Sequence, residues 1–72
     1  MGDHIETGAI KVIEVIGISP KSFEDAVEQG VSKAAESIKG ITGVEVMRHS
    51  AKVSGGNITS YHANLKIAFA VK

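Results

Sequence analysis

The sequence predicts an α+β domain of β-α-β-β order, with a three-stranded antiparallel sheet wrapped around one helix. Three observations carry that prediction. Residues Gly43 to Lys72 alternate between apolar and polar side chains on either side of a Ser54-Gly55-Gly56-Asn57 turn. Residues Ile10 to Ile16 form a run rich in β-branched side chains. Between them, apolar residues recur at three- and four-residue steps from Phe23 to Ile38, the helical period.

The hairpin is the most specific of these elements. Two glycines accept the positive φ angles of a two-residue primed turn, so Ser54 pairs with Asn57. Continued without interruption, that register sets Val44 opposite Ile67, Val46 opposite Leu65, Glu45 opposite Lys66 and His49 opposite His62. Side chains alternate across a strand, so Val44, Val46, Tyr61, Ala63, Leu65, Ile67, Phe69 and Val71 share one face. Gly43, Glu45, Met47, His49, Ser60, His62, Asn64 and Lys66 share the other. The first face wants a core. The second is polar without being uniformly charged, and it is the expected seat of function.

The first strand, Ile10 to Ile16, is apolar on both sides. Ile13 and Val15 lie on one face, with Ile10, Val12 and Ile16 on the other. A one-sided sheet alternates more cleanly, so part of the second face should be covered by another subunit. A helix follows, with two candidate starts. Ser19 can cap it with Pro20 in the first turn, and Ser22 can cap it one turn later. Phe23, Val27, Val31, Ala34, Ala35 and Ile38 form its apolar stripe. Glu24, Asp25 and Glu28 lie toward its N-terminus and Lys33 and Lys39 toward its C-terminus, as the helix dipole favours. Gly40 is the expected stop, and Gly30 inside the helix implies close packing against a neighbour. The first two strands should run parallel, with the third inserted antiparallel between them. Residues 1–9 read as a polar arm and residues 10–72 as a single domain.

Composition narrows the function. A chain of 72 residues is small. Such a chain buries only about 60% of the surface its unfolded form exposes, so a lone copy is marginally stable. With no cysteine, neither disulfides nor thiolate zinc sites can supply the deficit. Self-association is the expected stabiliser. Eight basic and eight acidic residues cancel, and Tyr61, Phe23 and Phe69 are the only large aromatics. Nucleic-acid binding is excluded for lack of a basic, aromatic surface. Met1 to Gly8 carries Asp3 and Glu6 with no apolar run, and no stretch approaches membrane-spanning length, so the expected location is cytoplasmic, with no membrane partner.

At this point the residues resemble a known family. Lys11-Val12-Ile13-Glu14-Val15-Ile16-Gly17 followed by Ser19-Pro20 is similar to the opening of a dodecin. So are Ala26 to Ala35 with its Gly30, Val44-Glu45-Val46 at the start of a long hairpin, and Lys66-Ile67-Ala68-Phe69 in the last strand. The resemblance covers roughly residues 10 to 71. It implies a hollow homododecamer that binds flavins (riboflavin, FMN or FAD) in pairs at subunit contacts, for storage or sequestration and not as an enzyme.

In typical members a Trp stacks on the isoalloxazine ring and a Gln in the last strand hydrogen-bonds its polar edge. Aligned with this chain, those positions are Gly43 and His62, and an Arg common in bacterial members falls on Ser50, with Arg48 and Lys52 nearby. The resemblance therefore implies a site built from Gly43, Val44, Glu45 and His62. Gly43 weakens it. Stacking on an aromatic contributes roughly 1–3 kcal/mol per ring, by analogy with bases, so flavin should bind about tenfold or more less tightly. The alternative is a dodecin-like shell that has lost flavin and holds ions or another small molecule.

The remaining chemistry-bearing residues are weak candidates. A cross-strand His49–His62 pair offers two imidazoles to a metal, but no third ligand completes the set, so no metal site is assigned. Glu45 opposite Lys66 reads as an ordinary cross-strand ion pair with a structural role. It lacks a nucleophile or oxyanion donor beside it, so no catalytic residue is assigned. Ser50, Ser54 and Ser60 do not combine with the histidines into a triad.

Overall fold

The computed structural model describes residues 8–71. The expected arm falls on residues 1–7, outside the described residues, and on 8–9, where Ala9 already pairs with Val71. The elements are β1 (Ala9–Ser19), α1 (Phe23–Ala35), β2 (Ile41–Ser54) and β3 (Asn57–Val71). They form one sheet of order β1-β3-β2, with β3 antiparallel to both neighbours. The predicted fold class and strand insertion are both present.

β1 runs three residues beyond its expected end, and this decides the helix start. Pairing with β3 continues to Ser19 opposite Tyr61, which holds Ser19 extended and removes it as a cap. Its buried hydroxyl donates to the Asp25 carboxylate at 2.5 Å and accepts from the Lys21 N–H at 2.9 Å. Ser22 caps instead, its Oγ accepting from the Asp25 N–H at 3.0 Å. At the other end, bonds from the Glu36 and Ser37 N–H groups to carbonyls three residues back tighten the last turn. The helix thus closes at Ala35, short of Gly40. Gly40 does take the positive φ of +80°, and its carbonyl accepts from the Ala70 N–H at 3.2 Å, tying the connection to β3.

The helix meets the sheet through its smallest residues. Ala26, Gly30 and Ala34 are its buried positions, flanked by half-buried Val27 and Val31, whereas Ala35 is exposed. Ala26 and Gly30 escape an apolar-stripe reading because bulk is the signal for a stripe and closeness is the signal here. A Cβ on Gly17 would stand 1.9 Å from the Ala26 carbonyl oxygen, and one on Gly30 would stand 2.6 Å from Leu65 Cδ1. Strand and helix backbones touch at Gly17, which therefore requires glycine, whereas a Cβ on Gly30 would have to displace the Leu65 side chain and would lie 3.3 Å from Gly17 Cα. That is the close approach predicted for Gly30.

The core is thin. Its buried apolar side chains are Ala26, Ala34, Ala63, Leu65 and Ile67, with Ile13, Val15, Val27, Val31, Ile41 and Tyr61 packed around them. The chain is also elongated, 51 Å in its longest dimension, with a radius of gyration of 14.4 Å. A compact chain of this length would have about 11 Å. The difference is the hairpin, which projects past the helix.

Candidate ligand-binding face

The helix lies over β1 and β3 and leaves the opposite sheet face bare. Its bare face can be written as rows across β1, β3 and β2. Val12, Ala68 and Gly43 form one row; Glu14, Lys66 and Glu45 the next; then Ile16, Asn64 and Arg48; then Ile18, His62 and Ser50. Ile10, Val12, Ile16 and Ile18 are each more than half exposed here, the excess apolar surface expected of β1, extended by Ile18. β1 brings apolar bulk, β2 brings polar groups, and β3 between them carries one lysine and two small alanines.

Two hollows lie side by side along these rows. One, of about 440 Å³, is lined by Val12, Gly43, Val44, Glu45, Lys66 and Ala68. Its floor is low because Gly43 and Ala68 have little or no side chain. No atom lies within 4 Å of where a Gly43 Cβ would be, so a large side chain fits there. The other, of about 560 Å³, is lined by Glu14, Ile16, Met47, Arg48, Asn64 and Lys66 among others. Lys66 belongs to both, held between Glu14 and Glu45 on the flanking strands. Among the described residues no ion pair to Lys66 closes.

The four sequence-predicted site residues do not converge within one chain. Gly43, Val44 and Glu45 line the smaller hollow together. Val44 pairs with Ile67, which places its side chain on the helix side, and it reaches the hollow because β2 is the sheet edge. His62 shares the bare face but pairs with Ser50, six residues along β3 from the Gly43 partner Ala68. At a strand rise of about 3.3 Å per residue the two positions are roughly 20 Å apart along the face. His62 Nε2 lies 2.8 Å from Ser60 Oγ.

His49 is elsewhere. It pairs with Ala63, not His62, and stacks on Phe23 at the helix N-terminus, with ring centroids 4.7 Å apart. Phe23 in turn meets Tyr61 edge-on at 4.9 Å. The cause is a pair of bulges, one between Val46 and Arg48 and one between Lys52 and Val53, that shift the middle of β2 by one residue. The base and tip of the hairpin keep the expected register, including Val44–Ile67, Glu45–Lys66 and Ser54–Asn57. The shift also sets Arg48 and Ser50 on the bare face. Among the described residues no group of three or more His, Asp or Glu side chains is poised for a metal. Glu14, Ile16, Arg48 and Asn64 line the larger hollow; the sequence places Ile16, Asn64 and Arg48 on or near that face without assigning them to the site. The β1–β3 register would have found Glu14 beside Lys66, but strand pairing between non-adjacent strands leaves no short-range signal.

The sequence and the fold match one family. The Dodecin family model matches residues 9–72. The calcium dodecin of Mycobacterium tuberculosis is 31% identical over 62 residues, covering 86% of this chain and 87% of that protein. The crystal structure of that protein, described as a calcium-chelating antigen with a calcium-binding site, has a TM-score of 0.79 at 32% identity over 90% of this chain and 93% of its own. The dodecin of Streptomyces coelicolor has the same fold, with a TM-score of 0.91 at 24% identity over 94% of this chain and 97% of that one. The chain belongs to the dodecin family of small-ligand-binding proteins.

Proposed function

We propose that this protein is a non-enzymatic, homododecameric, cytoplasmic binder that stores or sequesters a small molecule between copies of its bare sheet face. One observation supports this most. A single chain exposes Ile10, Val12, Ile16 and Ile18 beside two hollows and a Glu14–Lys66–Glu45 row, a mixed surface suited to enclosure by further copies of the chain. The leading ligand class is a flavin. In this reading Gly43 and Val44 form the floor, Glu45 is a nearby anchor, and His62 of another copy supplies the polar or stacking contact. The three large aromatics lie on the helix or on the helix side of the sheet, so among the described residues His62 is the ring on that face.

The second reading is an ion-holding shell. Glu14 and Glu45 flank Lys66, so each copy adds a net negative row to the shared surface, and oxygen donors of this kind suit calcium. Similarity to a calcium dodecin favours it.

Titrating riboflavin fluorescence and, separately, calcium heat of binding decides between them. Saturable quenching of riboflavin that strengthens about tenfold in Gly43→Trp supports the flavin reading. Calcium binding lost in Glu14→Gln with no riboflavin quenching supports the shell. Binding of neither removes both.

A further inference from the structure

We propose that residues 47–52 of β2 have two registers against β3, and that Phe23 and Thr59 hold the protein in the one observed. The two bulges are of opposite sense. Thr59 is the extra residue on β3, between Ile58 and Ser60, and Met47 is the extra residue on β2, between Val46 and Arg48. Their effects cancel, so Val53–Ile58 at the tip and Val46–Leu65 at the base belong to one continuous register. Between these two bulges the stretch from Arg48 to Lys52 is displaced; a separate shift lies below them, between Ile41 and Gly43. If both bulges close together, that stretch turns over while nothing on either side of it moves.

Little else fixes its orientation. Register is strongly specified where one face of a strand is buried, and every residue of β2 from Val44 to Ser54 is exposed. Each bulge also interrupts the ladder, which an uninterrupted register would restore. What opposes closure is specific. The Phe23–His49 stack exists only while His49 faces the helix. Thr59 Oγ1 donates to the Lys52 carbonyl at 3.2 Å, bridging the two strands at the bulge.

The two registers present different chemistry on the bare face. In the observed one, β2 offers Arg48, Ser50 and Lys52 there. In the straight one it offers Met47, His49 and Ala51, and His49 stands opposite His62. The larger hollow thereby loses its guanidinium and the face gains a pair of imidazoles. This holds whichever ligand the protein takes.

Cysteine pairs read the register directly, because residues one step out of register point to opposite faces and cannot be bridged. Ser50→Cys with His62→Cys bridges only in the observed register, and Ala51→Cys with Ser60→Cys only in the straight one. Glu45→Cys with Lys66→Cys bridges in both and reports an intact hairpin. Each pair is oxidised in glutathione buffer, in the parent and with Phe23→Leu and Thr59→Val added, and compared with itself. Removing the ring stack and the hydroxyl bond should speed the 51/60 cross-link about tenfold and slow the 50/62 cross-link. An unchanged 51/60 rate while the 45/66 control still closes overturns the proposal. If Phe23→Leu abolishes the control, Thr59→Val alone carries the test, with about a threefold gain expected and no gain overturning it.

Discussion

β2 and β3 are the two arms of one hairpin, yet they live in different solvents. β3 is the central strand, paired on both edges, and buries Ala63, Leu65 and Ile67 against the helix. β2 carries Val44, Val46 and Val53 and buries none of them. The helix accounts for the difference. It sits where Gly17 and Gly30 let it approach, over β1 and β3, and reaches β2 at the Phe23–His49 stack and at half-buried Ile41, leaving Val44, Val46 and Val53 exposed. Apolar residues in a strand therefore mean two things in this molecule. In β3 they are the core of the chain, and in β2 beyond Ile41 and on the bare side of β1 they are exposed surface, which the proposed assembly would cover.

Substitutions break that comparison in a graded way. The largest effect should come from Gly17→Ala, whose Cβ has nowhere to go against the Ala26 carbonyl. A loss of about 3 kcal/mol or more is expected in urea unfolding, since backbone must move. Leu65→Ala should follow at about 3 kcal/mol, because its fully buried side chain leaves a cavity in a thin core. Ser22→Ala should cost about 1 kcal/mol by leaving the Asp25 N–H uncapped, and Ser19→Ala should leave the helix start in place. At the small end, Val53→Ala on the exposed tip should fall within about 0.5 kcal/mol, although it too truncates a branched apolar side chain. Equal losses at Leu65 and Val53 would abolish the distinction between the two arms.

Most of the architecture was legible because it rests on local rules. Alternation, the Gly55-Gly56 turn and a helical run placed every element, and the excess apolar residues of β1 pointed to a face in need of cover. Positions decided by tertiary geometry were less legible. Ser19 has all the marks of a helix cap, yet pairing with Tyr61 keeps it in the strand. The small ridge of Ala26, Gly30 and Ala34 carries the packing that a search for bulk assigns elsewhere. His49 is the clearest case. Counting from the turn set it opposite His62, but bulges leave no mark in a hydrophobic pattern whose strand is exposed on both sides, and a ring at the helix start drew it to the other face. For the site, the smaller hollow over Gly43 was recoverable from the hairpin register at the base. The contribution of Glu14 and Ile16 required knowing which residues of β1 meet β3.

Everything assigned to the bare face depends on its being enclosed by further copies of the chain. Native mass spectrometry at low micromolar concentration measures this most directly. The account predicts a dodecameric particle built from the 7.5 kDa chain, dissociating when Ile16→Asp places a charge on that face. A parent protein that flies as a single 7.5 kDa chain would contradict it.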